Sequence, residues 1–317
     1  MSEQGLIRKY FAALGAPRPD VVCGIGDDCA VLAVPAGHEL AVSIDTLVAG
    51  VHFFADCDPA SLGHKSLAVG LSDLAAMGAE PAWATLALTL PSADSDWLTR
   101  FAAGLGGLAV EHGVQLIGGD TTRGPLTVSI QVHGFVAVGK AVTRGGARPG
   151  DLVFVSGALG DAGLALRRLA AGAPLSAALR QRLERPLPRV ALGCQLVGLA
   201  SAMIDVSDGL AADLGHILAA SGVGARIELA AVPLSEEVAA CVAETGDWGL
   251  PLTSGDDYEL CFAAPAARRA AVQAAADAVG CPVAAIGQIT DAPGRQWRLP
   301  GGGQWREEKS GYDHFPS

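Results

Sequence analysis

Six short acidic clusters, each beside glycine or a small polar residue, carry the chemistry this chain can offer. They read Gly24-Ile25-Gly26-Asp27-Asp28, Ser43-Ile44-Asp45-Thr46, Leu71-Ser72-Asp73, Gly118-Gly119-Asp120-Thr121-Thr122, Asp205-Val206-Ser207-Asp208-Gly209 and Ser254-Gly255-Asp256-Asp257. Most border an apolar run, so the acids are expected at the ends of strands, where short carboxylates can converge. Converging carboxylates repel one another unless cations neutralise them. Hard oxygen ligands of this kind suit Mg²⁺, which commonly arrives with phosphates. The first expectation is a polyphosphate-handling enzyme that uses more than one divalent metal.

The clusters differ in what else they could be. Residues 24–28 offer two glycines for close backbone approach and two carboxylates. Cys29 stands where a third glycine would complete G-x-G-x-x-G, so this is no dinucleotide fingerprint, and an Asp-rich turn fits equally well. Asp45 is flanked by Ser43 and Thr46, a carboxylate-and-hydroxyl set common around Mg²⁺. His52, seven residues further on, reads on spacing alone as an ordinary packed or surface histidine. Gly118 and Gly119 let backbone N–H groups approach a phosphate, and Thr121, Thr122 and Arg123 add donors and charge. A tight hairpin before the next strand would use the same glycines. In 205–210, Ser207 or Asp208 could cap a following helix, which leaves Asp205 without a capping role. A helix N-terminus also favours a bound phosphate. Asp256 or Asp257 is a candidate for substrate contact, and Tyr258 beside them reads as core. Walker, kinase-loop, H-E-x-x-H, G-x-S-x-G and EF-hand patterns are all missing from the sequence. Phosphoryl transfer here needs another scaffold.

The elements that must position these acids follow from apolar patterning. Strands are expected over 39–45, 82–90, 114–117 and 126–138, the last with clean alternation. Helices are expected over 59–77, started by Asp58-Pro59 and carrying Asp73 inside an apolar run, and over 94–112. A stretch rich in turn residues, 144–151, marks a boundary. Beyond it come strand 152–156, helices 161–171, 177–184 and 188–199, strand 201–205, helix 209–220 and strand 224–229. Helix 235–244, strand 258–263, helix 265–279, strand 283–289 and an irregular tail from 293 complete the chain. Both halves mix strands and helices, which predicts two α+β domains, 1–145 and 146–317.

Composition agrees. At 317 residues two domains are favoured over one. Apolar residues are 50% and charged residues 17%, as in a well-buried globular protein. The formal charge of −11 argues against nucleic acid or an anionic membrane as partner. An anionic ligand is then compatible only if metals invert the local sign. Seven cysteines without a C-x-x-C pair read as buried, reduced thiols. No basic-then-apolar leader is visible at the N-terminus, and the apolar stretch 191–204 is too short to span a bilayer, so a cytoplasmic protein is expected.

In order along the chain, Gly-Ile-Gly-Asp-Asp-Cys-Ala (24–30), Asp-Thr-Leu-Val-Ala-Gly-Val-His-Phe (45–53), Leu-Ser-Asp-Leu-Ala-Ala-Met-Gly-Ala (71–79), Gly-Gly-Asp-Thr-Thr-Arg-Gly (118–124), Asp-Val-Ser-Asp-Gly-Leu (205–210) and Gly-Tyr-Asp-His-Phe (311–315) resemble the thiamine-monophosphate kinase family of the PurM-like superfamily. The resemblance runs from about residue 5 to the C-terminus. It implies an N-terminal sheet domain that forms a barrel with a second subunit, hence a homodimer, and a C-terminal α/β domain. ATP and several Mg²⁺ would bind in a cleft between the domains, and the γ-phosphoryl would pass directly to thiamine monophosphate. Carried over by position, Asp28, Ser43, Ile44 through its carbonyl, Asp45, Asp73, Asp120, Asp205 and Asp208 would be Mg²⁺ ligands, with Asp45, Asp73 and Asp120 as the catalytic acids. Gly119, Asp120, Arg144 and Ser207 would contact ATP. His52, Asp256 and Tyr312 would hold the thiamine end, Asp256 standing where the family carries Glu. The rivals are an aminoimidazole ribotide synthetase, which shares the metal motifs but not the Gly-Tyr-Asp-His-Phe tail, and a non-catalytic acidic protein that binds Ca²⁺ or a partner.

Overall fold

In the computed structural model, which describes residues 2–307 and Gly311, the chain divides into two units. One comprises 1–74 with 79–139, the other 75–78 with 140–317. The first holds α1 (Glu3–Tyr10), β1 (Val21–Cys23), β2 (Val31–Leu32), β3 (His38–Val48), α2 (Pro59–Ala76) as far as Leu74, β4 (Glu80–Leu90), α3 (Ser95–Glu111), β5 (Gln115–Arg123) and β6 (Thr127–Ala137). Its sheet has the order β3-β6-β4-β5, antiparallel except where β4 runs beside β5.

Alternation in β6 puts Val128, Ile130 and Val132 on a buried face and Thr127, Ser129 and Gln131 on the other. Register carries that division across the sheet. Leu47, Asp45 and Ser43 of β3 pair with Val128, Ile130 and Val132, so they share the buried face. The helix α2 lies on this face, where a Cβ at Gly70 would stand 2.9 Å from Val132. Glycines also let α2 and α3 touch backbone to backbone. A Cβ at Gly104 would be 1.8 Å from Ala60 O, and one at Gly63 would be 2.1 Å from Phe101 O.

The second unit continues with β7 (Leu152–Ser156), α4 (Asp161–Ala170), α5 (Ala177–Glu184), α6 (Val190–Leu196), β8 (Ala202–Val206), α7 (Leu210–Ser221), β9 (Gly224–Glu228), α8 (Glu236–Thr245), α9 (Gly249–Thr253), β10 (Glu259–Ala264), α10 (Arg269–Ala278), β11 (Val283–Thr290), β12 (Gly294–Arg298) and β13 (Gln304–Trp305). Its sheet runs β13-β12-β9-β11-β7-β10-β8. Strand pairs are antiparallel apart from β12 beside β9, so the unit is α+β by strand direction. One apolar cluster under this sheet joins Val153, Ile204, Leu214, Ile227 and Trp297.

Several expectations need correction. Gly118 and Gly119 do not end a strand. The chain stays extended through Arg123, paired in parallel with β4. Neither Asp45 nor Asp120 stands at a strand end. Both are interior to longer strands, β3 and β5. The helix expected over 188–199 is shorter, Val190–Leu196. The segments α1, β1, β2 and α9 carried too little periodicity to be read. All seven cysteines are free thiols, but only Cys261 and Cys281 are buried, and Cys29 is exposed. Among the described residues no helix is long and apolar enough to cross a membrane.

Candidate functional site

In the first unit, sequence brings two acids to one place from different elements. Asp45 points off the buried face of β3, and Asp73 comes from the interior of α2. Ser43, two residues before Asp45 and therefore on the same face, donates its hydroxyl to Asp73 Oδ2. Burial pushes the Asp45 carboxyl up to about 7, and the neighbouring Asp73 charge and hydrogen bond add to this. Asp45 Oδ2 is buried with no hydrogen-bond partner. An orphaned carboxylate oxygen beside a second carboxylate and a hydroxyl is the donor set a hard divalent cation completes, so these residues fit Mg²⁺. Among the described residues, however, no group of three or more His, Cys, Asp or Glu converges as a metal cluster. Where several converging carboxylates were expected, the described residues bring together a pair and a hydroxyl.

The neighbouring positions divide by face. The Ile44 side chain is 63% exposed on the opposite side of β3, so only its carbonyl is left for an ion. Asp120 sits opposite Ala87, which pairs with Ser129, which pairs with Thr46. It therefore lies on the face away from Asp45 and three strand spacings from β3, roughly 14 Å. The sheet does not bring Asp120 to Asp45. Gly119 has φ +144°, and a Cβ there would stand 1.9 Å from Leu86 O, which only glycine tolerates. Asp28 is exposed in the turn between β1 and β2. His52 follows β3, and its Nδ1 accepts Val48 N–H at 3.0 Å. That bond leaves the ring proton of the neutral form on Nε2, a donor.

The second unit gathers its acids at the β8–α7 junction. Asp205 is buried in β8, and Ser207, Asp208 and Gly209 form the loop. Neither Ser207 nor Asp208 caps the helix. Asp213, from the first turn of α7, does so from inside: its Oδ2 accepts the N–H groups of Ser207, Asp208 and Gly209, each at 3.1 Å. Burial, then the Asp208 charge, raises the Asp213 carboxyl to about 7, against the pull of those N–H bonds. Sequence reading missed Asp213, although an acid in a first helical turn is a known signal. The 254–258 segment packs against this loop. Asp256 N–H donates to Ser207 O and Tyr258 N–H to Val206 O, both at 2.8 Å. Asp257 turns inwards, 3% exposed, and accepts Gly160 N–H. Asp256 is thus the acid of the pair that a ligand can reach. Arg144 is exposed beside the start of β8, where Thr143 O accepts Met203 N–H at 3.0 Å. About 10 Å of strand separates that start from Asp205, a span only its long side chain could cover. Tyr312 lies outside the described residues.

Two compact units of mixed strand and helix, each with acids at its sheet, are matched by two domain models. Residues 26–136 match the N-terminal domain and 148–298 the C-terminal domain of AIR synthase related proteins, and the chain belongs to that family. Within it the chain is similar to thiamine-monophosphate kinases. That of Escherichia coli (strain K12) is 49% identical over 319 residues, covering 99% of this chain and 98% of the relative. The crystal structure of thiamine-monophosphate kinase from Stenotrophomonas maltophilia K279a is similar at TM-score 0.84 and 46% identity, over 88% of this chain and 92% of that one. AaThiL complexed with AMPPCP and TMP is similar at TM-score 0.77 and 30% identity, over 89% of each chain.

Proposed function

We propose that the chain phosphorylates thiamine monophosphate with ATP, giving thiamine diphosphate and ADP. The observation that carries this reading is the Ser43–Asp45–Asp73 cluster, with its orphaned Asp45 oxygen, in a chain whose solved relative binds AMPPCP and TMP. Ser43, Asp45, Asp73 and the Ile44 carbonyl would hold one Mg²⁺. Asp28, Asp205 and Asp208 would serve further ions, and Asp120, on the other face, a different ion from that at Asp45. Bound Mg²⁺ would neutralise phosphate charge during transfer. From the family resemblance, Gly119, Asp120, Arg144 and Ser207 would contact ATP, and His52, Asp256 and Tyr312 the thiamine end. The acceptor phosphate dianion is already a nucleophile, so no side chain need act as base or carry the phosphoryl group.

Transfer is then direct and kinetics sequential. Incubation with γ-labelled ATP and Mg²⁺ should leave the protein unlabelled, and adding thiamine monophosphate should release ADP and labelled thiamine diphosphate. Stoichiometric label on the chain, or no product with thiamine monophosphate, would refute this. Failure to form product while aminoimidazole ribotide is made from its precursor would favour the synthetase rival.

The protein also works as a cytoplasmic homodimer through the first unit. The edge strand β3 exposes Leu40, Val42 and Ile44 at 41%, 53% and 63%, an apolar edge that a second copy would cover. Light scattering at micromolar concentration should give twice the chain mass; the mass of one chain would contradict the dimer.

A further inference from the structure

Among the described residues, Asp256 and Tyr258 are the non-glycine positions with left-handed backbone, φ +62° and +51°. Asp tolerates this region and a bulky aromatic does not, so the conformation is strained and must be held from outside. The holders are visible. Residues on either side of Asp257 donate backbone N–H to Ser207 O and Val206 O. Asp257 itself is buried on Gly160 N–H at 3.0 Å. Gly255, at φ +72°, lies so close that a Cβ would be 2.5 Å from Ser207 O. The result is a specific pairing across two residues: the Tyr258 hydroxyl donates to Asp256 Oδ1 at 2.9 Å, from a ring that is 7% exposed. An extended backbone would also put residues 256 and 258 on one side, without strain. The strained form is kept with the phenol locked on the carboxylate beside the Ser207–Asp208 loop.

We propose that Tyr258 is a positioning residue for the substrate end of the site. Its hydroxyl fixes the orientation of the Asp256 carboxylate, which receives the thiamine moiety; this rests on the reading of Asp256 given above. The short Asp side chain reaches less far than Glu, so its direction decides whether it meets the ligand. The buried phenol sets that direction, and the left-handed backbone sets the phenol.

Tyr258→Phe keeps the buried ring and removes only the hydroxyl. It should raise KM for thiamine monophosphate about tenfold, the loss of one oriented charged contact, and leave KM for ATP where it was. In an Asp256→Gly background, which suits the left-handed backbone, Tyr258→Phe should add nothing, because the two residues act as one. If Tyr258→Phe keeps the wild-type KM for thiamine monophosphate while Asp256→Gly raises it, the positioning role is wrong and Asp256 as a substrate contact stands. If Asp256→Gly leaves that KM unchanged, the substrate reading of Asp256 falls and the proposal with it. Equal rises in both KM values with a lower melting temperature would show a merely structural tyrosine and overturn the proposal.

Discussion

Asp45→Asn is expected to lose about a thousandfold in kcat at saturating Mg²⁺ and yet to melt no lower than wild type without the cation. The two halves of this expectation have one cause. Asp45 is buried against Asp73, and its carboxyl is held up to about 7 by burial first and by Asp73 second. A carboxyl raised in the folded state stabilises the fold while protonated. That stability is lost as pH rises from the ordinary value of 3.8 through about 7. Above that range the cation-free protein carries two ionised acids side by side, one with an orphaned oxygen. Asparagine has the same shape without the charge, so the cation-free fold is relieved at pH 8. The ligand field for the ion is lost, and turnover with it. Mg²⁺ with a non-hydrolysable ATP analogue should stabilise wild type by roughly 2.7 kcal/mol at a hundredfold excess over Kd, and the variant by much less. Near-wild-type kcat in Asp45→Asn at saturating Mg²⁺ would remove the ion from this pair. A sharp fall in cation-free melting temperature would mean that the pair is a structural contact instead.

How far the sequence reached is clearest at single residues. Asp73 was legible because an acid inside an apolar helical run needs a partner, and the partner proved to be on β3. The long strands and helices were legible because periodicity is local. Gly118-Gly119 misled because a glycine pair looks like a turn. Gly119 is needed instead for the close approach of Leu86 O inside a parallel pair, a tertiary contact that local patterning cannot encode. Composition and spacing left Asp256 and Asp257 equal, and only the family resemblance chose Asp256, because adjacent residues differ only in direction, and direction here is set by left-handed backbone. Asp213 was not singled out in the sequence. Its role follows from a loop that folds back to present three N–H groups to it. The charged cluster at Glu259 was invisible for a related reason: its partners are 70 and 77 residues away.

Glu259→Ala is expected to cost the second unit about 3–5 kcal/mol, the largest stability loss anticipated for a single change here. Glu259 is fully buried at the start of β10. Arg189 binds it through two nitrogens at 2.7 and 2.6 Å, and Arg182 adds a third bond at 2.9 Å. Ser156 donates to the same carboxylate at 2.6 Å and accepts Leu260 N–H at 2.8 Å. The chain makes room through Gly157, where a Cβ would stand 2.0 Å from Glu259 Oε1. Removing the carboxylate leaves two largely buried guanidinium groups facing each other, with Asp161 at 3.5 Å from Arg182 as a weaker remaining partner. The midpoint of thermal unfolding should fall on the order of 10 °C. Replacing Glu259, Arg182 and Arg189 together by Met should recover most of that loss, because the cost lies in the stranded charges and not in the missing contact. Tyr258 precedes Glu259 directly, so the single variant should also loosen the left-handed loop and raise KM for thiamine monophosphate more than KM for ATP. A Glu259→Ala protein that melts within a degree or two of wild type would show the cluster to be solvated and compensated. The strained Asp256 loop would then need a different foundation.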